Sequence, residues 1–199
     1  MDLVLVLCAL AIMIAYHLLL LHRILRRPHT TVLGYDNHHK LAWIERMARA
    51  ASPEAAALAL GVVSDGISAS TTLASLCIAL PSLLVAVYGG DAAQAPAAAA
   101  RHAALLACFL AAFTCFVQSA GCYVRASFLV SALGSDAPAI HVRRAVLRGG
   151  GFWAAGLRAL YLATALLVWV AFGPAPMLAC AVLTVAVLLL LDSNAVPLH

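Results

Sequence analysis

The chain of 199 residues is 65% hydrophobic and only 10% charged, with a mean hydropathy of +1.01, well beyond the roughly 45 to 50% apolar content of soluble globular domains. Its apolar residues gather into long blocks, which excludes a soluble core and predicts a single integral membrane domain over residues 1–199, an all-α multi-pass transmembrane helical bundle. The formal charge of +4 does not point to nucleic acid: the basic residues flank apolar blocks, where a bilayer with anionic head groups is the nearer partner.

Leu3 to Leu21 is an apolar run interrupted only by His17, about 28 Å of helix, close to the hydrocarbon thickness. Asp2 precedes it instead of a basic cluster and no small-residue cleavage site follows, so it reads as a retained helix and not a signal peptide. Arg23, Arg26 and Arg27 stop it. Residues 22–54 and the stretch from Arg125 to Arg158 hold eleven of the twelve Lys and Arg residues, and Tyr88 to His102 holds only Arg101. The positive-inside rule therefore predicts residues 22–54 and 125–151 to be cytosolic and the N-terminus outside.

Within the first basic segment, Pro28 and the T-T-V-L-G after it are expected to break helix. From His39 to Ala51 an amphipathic helix follows, with Leu41, Ile44, Met47, Ala48 and Ala51 on one face and Lys40, Glu45, Arg46 and Arg49 on the other. With Trp43 near the boundary, that pattern fits an interfacial helix whose basic face, Lys40, Arg46 and Arg49, meets anionic lipid or a protein partner. A solvated connector is the plainer alternative.

Ser52-Pro53-Glu54 is a helix start, and the second membrane helix is predicted over 55–87, kinked at Pro81. A low-complexity loop leads to Pro96 and an alanine-rich third helix over 97–124, whose small residues suit close packing. Trp153 to Leu191 is too long for one crossing and breaks at Phe172-Gly173-Pro174-Ala175-Pro176. Antiparallel helices over 152–172 and 174–191 then give five membrane helices. The alternative is four, since the tail from Asp192 to His199 lacks Lys and Arg.

The second helix holds the most distinctive stretch. Ser64, Ser68, Thr71 and Ser75 share a face, with Asp65 and Thr72 along its edge. Such a stripe must face protein or water, not lipid. Asp65 reads either as an ion or proton site or as half of an interhelical ion pair with Arg158, or as a carboxylate wetted at the interface. The hydroxyls read either as packing or as a pore lining shared among several copies. Cys108, Cys115 and Cys122 recur every seven residues, about 10 Å apart on a helix, too far to share one metal. Gln118 beside them is expected to bond across to another helix. His17, His22, His29, His38 and His39 match no strong ligand spacing and read as polar interfacial residues, and Gly149-Gly150-Gly151 reads as a hinge.

The segment Tyr16 to Gly34, the tryptophan in Leu41 to Glu45, the A-S-T-T-L-A-S of Ala69 to Ser75, and Gly156 to Pro174 followed by L-L-D at Asp192 together resemble the plant membrane family catalogued as domain of unknown function 599. The resemblance covers nearly the whole chain and implies a multi-pass membrane protein without an established activity. Gly61, Ser64 and Asp65 stand where that family leads one to expect a Gln and then an Arg-Asn pair. Two function classes follow: an oligomeric channel-like or carrier-like protein using the stripe, or a scaffold or adaptor using the basic face. No catalytic, cofactor or metal pattern is present in the sequence, so no enzyme is expected.

Overall fold

The computed structural model describes residues 2–27, 30–50, 52–92, 96–131 and 139–192, and the side chains of all of these except 48–50 and 87–92. The architecture is all-α: α1 (Asp2–Arg26), α2 (Val32–Ala50), α3 (Pro53–Ala92), α4 (Pro96–Ser131), α5 (Ala139–Phe172) and α6 (Pro174–Asp192). All but α2 are long and apolar enough to cross a membrane, so the five-helix expectation stands over the four-helix one.

The helix ends follow local chemistry. In α1, Asp2 occupies the first turn and Arg23 and Arg26 the last, each complementing the helix dipole. Thr31 caps α2, accepting a hydrogen bond from the Gly34 amide at 3.2 Å. The T-T-V-L-G segment thus starts α2 at Val32, several residues before His39, where the helix was expected to resume. Ser52 caps α3 through the Ala55 amide at 3.2 Å, with Pro53 in the first helical position, where its missing N–H costs nothing. Between α5 and α6 stands Gly173 alone, with φ of 94°, a left-handed conformation that glycine adopts without strain.

The helices outrun their expected lengths, α3, α4 and α5 by the most. At the standard rise α3, α4 and α5 measure about 60, 54 and 51 Å, against a hydrocarbon core of about 30 Å. The largest difference is in α5, which starts at Ala139 instead of residue 152 and carries Gly149, Gly150 and Gly151 inside it. No hinge forms there. Gly149 and Gly150 are buried, and a helix packed against neighbours tolerates glycine because close approach replaces the lost propensity. Pro81 likewise lies within a continuous α3.

The chain divides into two compact units, Met1–Asp36, Pro81–Phe109 and Arg158–His199 in one, Asn37–Leu80 and Leu110–Leu157 in the other. In the first, α1 packs along α6, and Tyr16, Leu20 and Leu188 form a core with Ile24, Tyr161 and Val185 against it. Arg158 and Tyr161 of α5 meet Asp192 and Leu188 of α6, which makes α5 and α6 an antiparallel hairpin about Gly173. The Arg101 guanidinium lies 5.7 Å over the Trp169 ring, within cation–π range.

In the second unit Ile44 and Met47 of the apolar face predicted for α2 turn onto protein, while the Ala48 side chain and Ala51 lie outside the described residues. Ile44 is buried with Ala59 and Val63 of α3, Ala126 and Val130 of α4, and Val142, Ala145 and Val146 of α5. A second contact is aromatic: Phe116, fully buried, meets the Trp153 ring edge-on at 5.5 Å. Gly156 makes room for it, since a Cβ there would stand 2.8 Å from Phe116. Gly156→Ala should therefore lower stability by about 1 to 3 kcal/mol through overpacking, read as a fall in the thermal midpoint in detergent. Gly61→Ala, with open space around its Cβ, should cause no fall, and equal effects at both sites would refute the packing account.

Candidate functional site

The face that α3 buries is set by small side chains. Ala59, Val63, Ser70, Ala74 and Cys77 are buried at alternating intervals of three, four and seven residues, one side of a helix. The polar stripe is offset from that side by about one residue, a rotation of roughly 100°. Ser64, Asp65, Ser68, Thr71, Thr72 and Ser75 are consequently all exposed on the single chain. The single chain does not itself cover the stripe.

Three hydroxyls of the stripe are satisfied by their own helix. Thr71 lies 3.1 Å from the Ile67 carbonyl and 3.0 Å from that of Ser68, Thr72 donates to Ser68 at 2.8 Å, and Ser75 donates to Thr71 at 3.0 Å. Each keeps its oxygen lone pairs turned outward. Asp65 has no such local remedy, and among the described residues it makes no hydrogen bond or ion pair.

The level of Asp65 in its unit follows from its neighbours. The adjoining Gly66 abuts the Tyr123 ring, which also abuts Gly149. Arg148 precedes Gly149 and Arg125 follows Tyr123 by two positions. Both arginines are exposed, so Asp65 stands at the level of exposed arginines, and Ser75 lies about 15 Å farther along α3.

Arg158 does not serve Asp65. Its guanidinium holds both oxygens of Asp192 at 3.0 and 3.1 Å, with the two side chains 19% and 18% exposed. The Tyr16 hydroxyl donates to the same carboxylate, so one acid ties α1, α5 and α6 together. Sequence spacing favoured Asp65 because it and Arg158 were predicted near the same end of their helices. The hairpin at Gly173 instead returns Asp192 to Arg158, and an acid at a helix C-terminus needs a cation to offset the dipole. Both residues lie in the segments that carried the family resemblance.

A polar contact absent from the sequence reading crosses the second unit. Ser70 and Ser119 are fully buried. The Ser70 hydroxyl lies 2.7 Å from the Gly66 carbonyl and 3.1 Å from the Ser119 oxygen, and Ser119 donates to the Gly149 carbonyl at 2.9 Å. This relay joins α3, α4 and α5. Gln118, expected to make the crossing, is exposed and has no hydrogen bond among the described residues; its smaller neighbour fits where helices touch. The available signal was that Ser70, Ser119 and Gly149 are all small.

Of the predicted basic face, Arg46 is exposed, Lys40 is half-buried, and the Arg49 side chain lies outside the described residues. Lys40 turns inward, its Nζ lying 3.2 Å from where a Cβ on Gly150 would stand. Cys108, Cys115 and Cys122 are free and partly buried. His29 lies outside the described residues.

A family model described as "Protein of unknown function, DUF599" matches residues 4–196. The match carries the family, not a restriction to plants. No curated protein and no solved structure matches the chain.

Breaking a buried pair costs about 3 to 5 kcal/mol, because one charge is left uncompensated. Arg158→Met or Asp192→Asn should therefore destabilise the protein by a value near the lower end of that range, in thermal unfolding in detergent. The double variant Arg158→Met with Asp192→Leu should recover at least half of the loss. Additive losses in the double variant would show that the two side chains act separately.

Proposed function

The chain belongs to this family of unknown function, and from the geometry of α3 we propose that it works as a homo-oligomeric, channel-like or carrier-like multi-pass membrane protein whose copies meet around the stripe. The observation that carries the reading is the exposure of Ser64, Asp65, Ser68, Thr71, Thr72 and Ser75 together on one chain. A carboxylate facing lipid near the middle of a helix costs about 2.5 to 3.5 kcal/mol on the insertion scale. Copies arranged with α3 inward would give that face water and one another.

In this reading residues 22–54 and 125–151 are cytosolic and the N-terminus is outside, so Asp65 stands at the cytosolic mouth. The outward lone pairs of Ser68, Thr71, Thr72 and Ser75 line the path beyond it. A ring of carboxylates favours cations over anions. A second reading, a scaffold or adaptor that recruits lipid or protein, draws on the exposure of Arg46, Arg143, Arg144 and Arg148.

Liposomes containing the purified protein distinguish the two. The transport reading expects a potassium flux above that of empty liposomes, lowered at least tenfold by Asp65→Asn, with Ser68→Cys giving an oxidation-dependent dimer that the parent protein lacks. A protein that shows neither flux nor the new cross-link would remove the stripe as a transport path and leave the scaffold reading.

A further inference from the structure

A cavity of about 320 Å³ opens in the second unit between α2, α3, α4 and α5, within the lower part of the range for small-molecule sites. Three valines, Val62, Val63 and Val146, supply apolar wall. Two amphipathic rings, Trp43 and Tyr123, complete it, residue types that favour the level of lipid head groups.

The ring of Tyr123 is set by glycine. A Cβ on Gly66 would come within 3.2 Å of it and a Cβ on Gly149 within 3.1 Å, so only a residue without a side chain lets α3 and α5 approach from these positions. The same absence keeps the Gly66 side of the cavity open.

Lys40 and His39 give the cavity its polarity, and no acidic residue lines it. Lys40 is half-buried and has neither a hydrogen bond nor an ion pair among the described residues. An ammonium partly withdrawn from water needs an acceptor or a counter-charge. The carboxylates on the neighbouring walls, Asp36 and Glu45 of α2 and Asp65 beside Gly66 of α3, are exposed and are not part of the lining. The surrounding exposed charges, Arg125, Arg143, Arg144 and Arg148, add to the positive field.

We propose that this cavity binds an anionic phospholipid, one acyl chain lying among Val62, Val63, Val146 and the Trp43 ring and the head-group phosphate meeting Lys40. Apolar wall, interfacial aromatics and one unmatched cation occur together in this cavity, and a membrane phospholipid presents the complementary order of tail and phosphate. The assignment concerns a different face from the stripe of α3 and does not rest on the transport reading.

The test is native mass spectrometry of the full chain released from nanodiscs of equal phosphatidylglycerol and phosphatidylcholine. The expected result is a retained phosphatidylglycerol at least fivefold in excess over phosphatidylcholine. Lys40→Gln should abolish the preference, and Val62→Trp, which fills the cavity from an exposed position, should reduce retention of both lipids at least fivefold. Equal retention of the two lipids by the unaltered protein overturns the proposal without recourse to a variant. So does retention that survives Val62→Trp, or displacement of the lipid by inorganic phosphate alone, which would mark a free-anion site.

Discussion

A polar group held among apolar helices has no water to bond, and the arrangement of this chain depends on how each such group is satisfied. Most are satisfied at close range. Thr71, Thr72 and Ser75 turn back to carbonyls of their own helix, and His17 and His102 do the same through Nδ1. Ser70 and Ser119 use the contact between helices, and Arg158 and Asp192 use each other. Asp65 and Lys40, like the exposed Arg125 and Arg148 near them, have no partner among the described residues. The two functional proposals begin at Asp65 and Lys40.

Close approach is what makes the internal solutions possible. Without a hydrophobic drive between helices in lipid, association depends on van der Waals contact and a few hydrogen bonds, and both need backbones near one another. Gly66 and Gly149 admit the Tyr123 ring, Gly156 admits the Phe116 ring, and alanines occupy much of the remaining buried surface. A hydroxyl as short as that of Ser119 can reach the Gly149 carbonyl at 2.9 Å only because that position carries no side chain. The glycine run is thus a packing surface of α5, whereas in an isolated helix it would be a weak point.

Helix number and type were legible because they follow from hydrophobic blocks and from breakers such as Gly173-Pro174 and caps such as Ser52. Helix length was less so: residues 139–151, with Arg143, Arg144, Arg148 and three glycines, resemble loop in composition, and tertiary packing decides that they are helix. The stripe was legible as spacing, but the face that α3 buries was not. Periodicity ranks faces by polarity, whereas contact in lipid selects for smallness, so spacing alone does not single out Ser70 within the same stretch. The partner of Arg158 depends on where the α5–α6 hairpin brings Asp192, a long-range fact that spacing within either helix does not contain.

The two unmatched charges differ in what they require. An exposed carboxylate such as Asp65 is stable wherever water reaches it, so its demand for other copies of the chain arises only if that part of α3 lies within lipid. A half-buried ammonium such as Lys40 carries a desolvation penalty in any setting, because the protein itself removes part of its water. Opposite in sign and within one unit, the two still form no ion pair. Asp65 projects from the outer face of α3, and Lys40 turns towards the glycines of α5. The lipid proposal thus rests on an arrangement within the fold, while the transport reading rests on the membrane around α3, and the two can fail independently.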